Sequence, residues 1–108
     1  MPLRITSIQN PKVKDVLQLG KRARRDERRE TVIEGVRECT LALEAGIVPS
    51  QAFVCPELLV DHAARRLALQ LERLSAERRC RLFEVTCEVF ARLAVRGDSG
   101  GLLLVIPY

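Results

Sequence analysis

Residues 31–46, TVIEGVRECTLALEAG, join a strand pattern directly to a helix pattern. The β-branched run at 31–33 ends at Glu34-Gly35, which predicts a buried strand that enters a tight turn. Beyond the turn, apolar side chains recur with helical spacing, and Gly46 is a typical residue at a helix C-terminus. The segment therefore predicts a strand, a turn and a helix in succession, which is the basic unit of α/β domains.

The same succession recurs further along the chain. Apolar runs at 52–55 and 82–85 predict two more short strands, each followed by a helix; the second helix would begin at a Thr86 cap. The apolar stripe of the first helix is predicted to be Leu59, Ala63, Leu67, Leu71 and Leu74. Residues 102–106 form a continuous apolar run, typical of a strand buried on both faces. Such alternation over short links predicts a mostly parallel sheet with helices on both sides.

One more helix is predicted on the N-terminal side of this region. Asn10 can cap a helix, and Pro11 suits the first helical position, where a missing N–H costs nothing. The helical spacing gives this helix two sides. The predicted buried side is Val13, Val16, Leu17 and Gly20, and the predicted polar side is Lys14, Gln18 and Lys21. We expect the helix to end near Gly20 or to continue irregularly through the arginines that follow.

Positive charge is concentrated in the first 30 of the 108 residues. This part carries nine Lys and Arg against four Asp and Glu, a net of +5, whereas residues 31–108 carry nine against ten, a net of −1. A positive surface on an otherwise balanced domain favours binding to polyanions, above all nucleic acid. The alternative is that the arginine run is only solvated surface.

Several other classes of protein are disfavoured. The chain has no apolar run of the roughly 18 residues that a membrane span needs, and no signal peptide, which predicts a cytoplasmic protein. Its four cysteines lack a C-x-x-C pair and there is one histidine, so we expect buried, reduced thiols and no metal site. The glycines do not follow the dinucleotide-binding or P-loop spacing.

The sequence GDSGG at 97–101 matches the nucleophile segment of chymotrypsin-like proteases, and His62 could suggest a triad. A triad also needs a separate orienting carboxylate and a preformed oxyanion hole. His62 is predicted on a helix, and 108 residues are too few for two β-barrels. We therefore interpret 97–101 as a turn before the last strand and expect no catalytic residues in this chain.

Taken together, these pieces resemble the N-terminal substrate-binding domain of the SpoU (TrmH-type) RNA 2'-O-ribose methyltransferases. The order and spacing of the matching pieces cover nearly the whole chain. They are Ile5-Thr6-Ser7, Asn10-Pro11, Val13-Lys14, the arginines near Arg25, Val32-Ile33-Glu34-Gly35, Arg37, and Gly101 before Leu102 to Ile106. The chain departs from the family pattern at Thr31, where a large apolar residue is usual, and at Gly100, where glutamine is common.

The resemblance implies a three-layer α/β/α sandwich like ribosomal protein L30e and its L7Ae relatives. It also implies that residues 1–108 form one domain that grips folded rRNA or tRNA. A separate C-terminal knotted domain, absent from this chain, would bind S-adenosylmethionine and transfer the methyl group. The resemblance further implies that the full-length protein forms a homodimer through that missing domain.

The candidate RNA-binding residues lie mainly in the basic N-terminal segment. Lysine and arginine would contact phosphates, and the few aromatic residues argue against recognition by base stacking. The candidates are Asn10, Lys14, Lys21, Arg22, Arg24, Arg25, Arg28, Glu34 and Arg37. For the turn at Glu34-Gly35, the alternative is that Gly35 serves backbone geometry and Glu34 makes a local hydrogen bond.

Two other functions stay open from sequence. One is a stand-alone protein that binds kinked RNA in the manner of L7Ae, and the other is a protein-interaction or dimerisation module. The RNA-binding prediction also carries a structural requirement, because guanidinium groups that are held by the chain's own carboxylates are not available to phosphates.

Overall fold

The computed structural model describes residues 3–95 and 100–107. Residues 97–99 of the GDSGG turn lie outside the described part. Within it, the chain forms the following strands and helices in order: β1 (Leu3–Ile5), α1 (Pro11–Gln18), α2 (Arg22–Arg28), β2 (Glu30–Glu34), α3 (Val36–Glu44), β3 (Gln51–Val54), a 3-10 turn (Pro56–Leu58), α4 (His62–Ala76), β4 (Arg81–Val85), α5 (Cys87–Leu93) and β5 (Leu102–Pro107).

The described strands form one five-stranded sheet in the order β1-β4-β3-β5-β2. β4 pairs in parallel with both β1 and β3, while β5 pairs antiparallel with β3 and with β2. Four of these five strands therefore run in one direction and β5 runs against them. The predicted α/β class with a mostly parallel sheet is confirmed, and the single reversed strand lies inside the sheet.

Helices cover both faces of the sheet, which gives the predicted three layers. On one face α1 and α5 pack through residues such as Val16 and Phe90. On the other face α3 and α4 pack through residues such as Cys39 and Leu67. β5 alternates between these layers and is buried along residues 102–106, as its continuous apolar sequence predicted.

Two details of the helices differ from the expectations. The N-terminal helix ends near Gly20 as expected, since α1 stops at Gln18 and a separate α2 begins at Arg22, but Gly20 lies exposed in the turn between them and not on the buried side. In α4 the buried stripe contains Ala64 and not Ala63. The stripe passes through Leu67 and Leu71, and helical periodicity places Ala64, three residues before Leu67, on the same side.

The cysteines follow the expectation at three of four positions. Cys39, Cys55 and Cys80 are buried free thiols, whereas Cys87 is exposed at the first position of α5. α5 turns Val89 and Phe90 toward the sheet, which leaves Cys87 on its outer side. No helix within residues 3–95 and 100–107 is long and apolar enough to cross a bilayer.

Candidate nucleic-acid interface

The basic segment starts at a capped helix. Asn10 Oδ1 accepts a hydrogen bond from the Lys12 backbone N–H at 2.8 Å, so its side-chain oxygen satisfies the start of α1. Val13 and Val16 are buried against the sheet, while Lys14 is exposed on the other side of the helix. The predicted division of α1 into an apolar side and a basic side is therefore present in the structure.

α2 has no buried residue, and two of its arginines attach it to α1. Arg25 Nη1 donates to the Leu19 carbonyl oxygen at 3.0 Å. Arg28 Nη1 lies 3.1 Å from Asp15 Oδ1 and also donates to the Asp15 carbonyl oxygen at 3.2 Å. Because α2 lacks an apolar anchor, these polar contacts determine how it lies beside α1.

The contacts of Arg28 extend into the sheet. Arg28 Nη2 lies 2.7 Å from Glu30 Oε1 at the start of β2, and Glu30 Oε2 accepts from Ser50 Oγ at 2.7 Å. The two charged side chains are only 25% and 21% exposed. Arg28 therefore joins α1, α2 and β2, and its guanidinium is largely committed to the chain's own carboxylates.

The remaining candidates on α1 and α2 are exposed to solvent. Arg22 lies 3.8 Å from Asp26 and Arg24 lies 3.0 Å from Glu27, with 85% and 51% of the two arginine side chains exposed. Ion pairs this exposed contribute little, so phosphates can replace the carboxylates. Lys14 and Lys21 are exposed, and in the described part of the chain neither forms an ion pair within 4.0 Å.

Glu34 and Arg37 occupy a different environment. Glu34 Oε1 accepts from the Val95 backbone N–H at 2.8 Å, so the local hydrogen bond that sequence reasoning left open is present. Gly35 has a φ of 103°, a backbone conformation that suits glycine at this strand-to-helix turn. Arg37 is exposed on α3, in the layer opposite α1, and the structure does not place it in the same layer as the α1 cations.

A surface cavity of about 290 Å³ lies between the α1–α2 turn, β2 and the end of α5. Most of its lining is apolar, and Arg25, Thr31 and Glu34 supply the polar groups. Sequence reasoning missed this cavity, since residues from three separated segments form it and no local pattern marks such a meeting point.

The basic helices and the strand-to-helix turn lie in a segment that is characteristic of one protein family. A sequence model of the MRM3-like substrate binding domain matches residues 10–103. The chain belongs to this family. The predicted resemblance to the substrate-binding domain of SpoU methyltransferases is thereby confirmed, and the matched range includes every candidate residue from Asn10 to Arg37.

Solved structures similar to this MRM3-like domain include RNA methyltransferases. An RNA 2'-O ribose methyltransferase is 34% identical with a TM-score of 0.80 over 97% of this chain and 37% of its own. An rRNA methyltransferase from Sinorhizobium meliloti is 23% identical, with a TM-score of 0.74 over 97% of this chain and 36% of its own. The SpoU methyltransferase AviRb from Streptomyces viridochromogenes, in complex with AdoMet, is 20% identical, with a TM-score of 0.68 over 91% of this chain and 33% of its own.

The last two neighbours show the fold alone, since their sequences are under 25% identical to this one. The chain spans about a third of the length of all three neighbours. A search of curated proteins found no significant match. The comparisons thus assign the MRM3-like domain to a family and a fold.

Proposed function

We propose that this MRM3-like domain binds RNA for an S-adenosylmethionine-dependent RNA 2'-O-ribose methyltransferase. Membership in a substrate-binding family and the names of the solved neighbours support the proposal. The observation that carries it is the exposed positive charge on α1 and α2, within a segment (residues 1–30) of net charge +5 beside a remainder (residues 31–108) of net charge −1. An RNA backbone is the polyanion that matches such a surface.

We propose four residues as the principal phosphate contacts: Lys14, Lys21, Arg22 and Arg24. All four side chains are exposed. Among the described residues, Lys14 and Lys21 form no ion pair, and Arg22 and Arg24 are held only in exposed ion pairs. Arg25 and Arg28 would act indirectly by holding α2 beside α1. Asn10, Glu34 and Arg37 stay secondary candidates, the first two because their side chains already make structural hydrogen bonds.

Methyl transfer would belong to a separate domain of the parent protein, which would bind S-adenosylmethionine and form the homodimer in the cytoplasm. The solved SpoU methyltransferase AviRb is in complex with AdoMet, and this chain covers only 33% of its length. The cavity beside Arg25 and Glu34 does not fit the cofactor well, because both charged groups are already used, one by Leu19 and the other by Val95. The role proposed for this chain is therefore binding alone.

A salt series of binding measurements tests the proposal. Fluorescence anisotropy with labelled rRNA and tRNA fragments should show an affinity that falls steeply with salt. Four phosphate contacts predict a slope of about 3 to 4 in the logarithm of the affinity against the logarithm of the salt concentration, at roughly 0.7 to 0.9 per contact. An affinity that does not depend on salt would exclude a phosphate-binding surface.

Two double variants with equal charge changes locate the surface. Lys14→Glu with Lys21→Glu removes two proposed contacts, and Arg66→Glu with Arg73→Glu changes two exposed residues of α4 by the same charge. The first variant should weaken binding at least tenfold and lower the salt slope by about 1.5. The second should retain most of the affinity. Equal losses in both variants would mean that net charge, and not the α1–α2 surface, determines binding.

The same assay separates the proposal from the other two functions. A stand-alone binder of kinked RNA would prefer a kinked duplex to all rRNA and tRNA fragments. A protein-interaction module would bind all of them only weakly, and Arg24→Glu with Arg25→Glu would then leave that weak RNA signal unchanged.

A further inference from the structure

Three potential metal ligands meet at the ends of two neighbouring parallel strands. Cys55 directly follows β3, Glu57 lies in the 3-10 turn after it, and Cys87 lies two residues beyond β4. β3 and β4 pair in parallel, so their carboxyl ends lie at the same edge of the sheet. Parallel pairing thus brings together two cysteines that are 32 positions apart.

The distances between the three ligand atoms fit one small cation. The Cys55 and Cys87 sulfurs are 3.7 Å apart, and Cys87 Sγ lies 3.9 Å from Glu57 Oε2. All three atoms lie within 4.8 Å of one another. Tetrahedral zinc, with Zn–S bonds of about 2.3 Å, places two sulfur ligands about 3.8 Å apart. The two thiols therefore already have the separation that a shared tetrahedral ion requires.

The surroundings of the sulfurs also suit a metal. Cys55 is buried, whereas Glu57 and Cys87 are exposed, so an ion can reach the site from solvent. Two sulfurs and one carboxylate oxygen select zinc-like ions over magnesium and calcium, which prefer oxygen ligands throughout.

We propose that Cys55, Glu57 and Cys87 form a binding site for a zinc-class divalent cation, with three protein ligands and one position open to water. The bound ion would join the end of β3 to the start of α5. This site is independent of the proposed RNA function. The proposal departs from the sequence expectation of no metal site, because that expectation considered ligand spacing along the chain, whereas strand pairing brings these three ligands together.

Cobalt is the probe that tests the site, since Co²⁺ replaces Zn²⁺ and reports its ligands by absorption. The reduced, metal-free chain should bind one Co²⁺ under anaerobic conditions, with sulfur-to-cobalt charge-transfer bands in the near ultraviolet and intense visible bands of tetrahedral coordination. Added Zn²⁺ should abolish both sets of bands. Failure of the native chain to bind one Co²⁺ with these bands would overturn the proposal.

Variants assign the ligands. Cys87→Ser changes an exposed residue and should lower cobalt affinity at least tenfold while the circular dichroism spectrum is retained; Glu57→Gln should weaken binding without removing the charge-transfer bands. Cys80→Ser, at a buried thiol that is not in the ligand group, is the control and should leave the cobalt spectrum unchanged. Cobalt binding that survives Cys87→Ser, or a Cys55–Cys87 disulfide that persists in the reduced preparation, would contradict the metal site.

Discussion

Arg28 Nη2 lies 2.7 Å from Glu30 Oε1, although the two residues belong to a helix and a strand. Arg29, between them, has the left-handed φ of 57° that ends α2 and reverses the chain into β2. The reversal places the Arg28 and Glu30 side chains next to each other and beside Asp15 of α1. From sequence alone, Arg28 is predicted to contact phosphate. The structure shows that it also connects α1, α2 and β2.

Replacement of Arg28 should destabilise the fold more than replacement of Arg24. Arg28→Ala leaves Asp15 and Glu30 without their shared partner, and we expect a loss of about 1–2 kcal/mol in the free energy of unfolding. Arg24→Ala removes only an exposed pair with Glu27 and should cost less than about 0.5 kcal/mol. Urea denaturation followed by circular dichroism measures both changes. Similar losses for the two variants would show that the Arg28 contacts contribute no more to stability than the exposed Arg24–Glu27 pair.

Glu34 should protect the Val95 amide from exchange with solvent. Its carboxylate accepts the Val95 N–H at 2.8 Å and so connects the end of β2 to the residues after α5. Glu34→Ala removes the acceptor, and the Val95 amide should then exchange at least several-fold faster, whereas Glu34→Gln keeps a side-chain oxygen and should retain most of the protection. Hydrogen exchange measured by NMR reports this single amide. An unchanged exchange rate in Glu34→Ala would contradict the structural role.

Local patterns predicted the elements well and their partners poorly. The strand, turn and helix at 31–46, the Asn10 cap and the doubly buried strand at 102–106 were each correctly predicted, since each depends on residues close in sequence. The internal position of β5 in the sheet and the contacts of Arg28 depend on tertiary packing, which no window of neighbouring residues contains.

The candidate site shows the same division. Charge counting located the basic segment, and helical spacing correctly placed Lys14 on the exposed side of α1, whereas Lys21 is exposed beyond the end of that helix. Sequence could not separate Arg22, which is exposed, from Arg28, which is held by carboxylates, because both stand in the same run of like residues. Both arginines lie on α2, but Arg28 stands at the end of that helix next to β2, where it reaches Asp15 of α1 and Glu30 of β2.

Two helices end with the same backbone geometry, but the left-handed position is a glycine after α3 and an arginine after α4. Removing the glycine and introducing one should therefore change the stability in opposite directions. After α3, Gly46 has a φ of 84°, and the Ile47 N–H bonds the Ala42 carbonyl oxygen. After α4, Arg78 has a φ of 59°, and the Arg79 N–H bonds the Leu74 carbonyl oxygen in the same way. Both are Schellman motifs, whose left-handed position favours glycine.

Arg78→Gly should therefore stabilise the domain by about 0.5–1 kcal/mol, and Gly46→Ala should destabilise it by about 1 kcal/mol, since a side chain in the left-handed region is strained. Thermal and urea denaturation of the two variants measure both signs. Arg66→Gly, within α4, is the control and should destabilise by about 1 kcal/mol. Destabilisation by Arg78→Gly would show that the arginine side chain contributes more than its backbone strain costs.

The thiol of Cys39 should make the stability of the domain decrease in alkaline solution. Burial raises the pKa of Cys39 from 9.0 to about 12, with smaller contributions from the negative charges of Glu38 and Glu34. The unfolded chain loses this proton near pH 9 and the folded chain keeps it to about pH 12, so the unfolded state binds fewer protons in that window. The stability linked to this thiol is complete below pH 9 and is lost as the pH rises toward 12.

Cys39→Ala should remove that part of the pH dependence. Between about pH 9 and the alkaline limit of the experiment, the free energy of unfolding of the native chain should fall more steeply than that of the variant, by up to about 1.4 kcal/mol per pH unit. Val13→Ala, which also creates a buried cavity but carries no titrating group, should keep the native slope. Urea denaturation at successive pH values measures the three slopes. Parallel curves for the native chain and Cys39→Ala would mean that the buried thiol ionises as easily in the folded state as in the unfolded one.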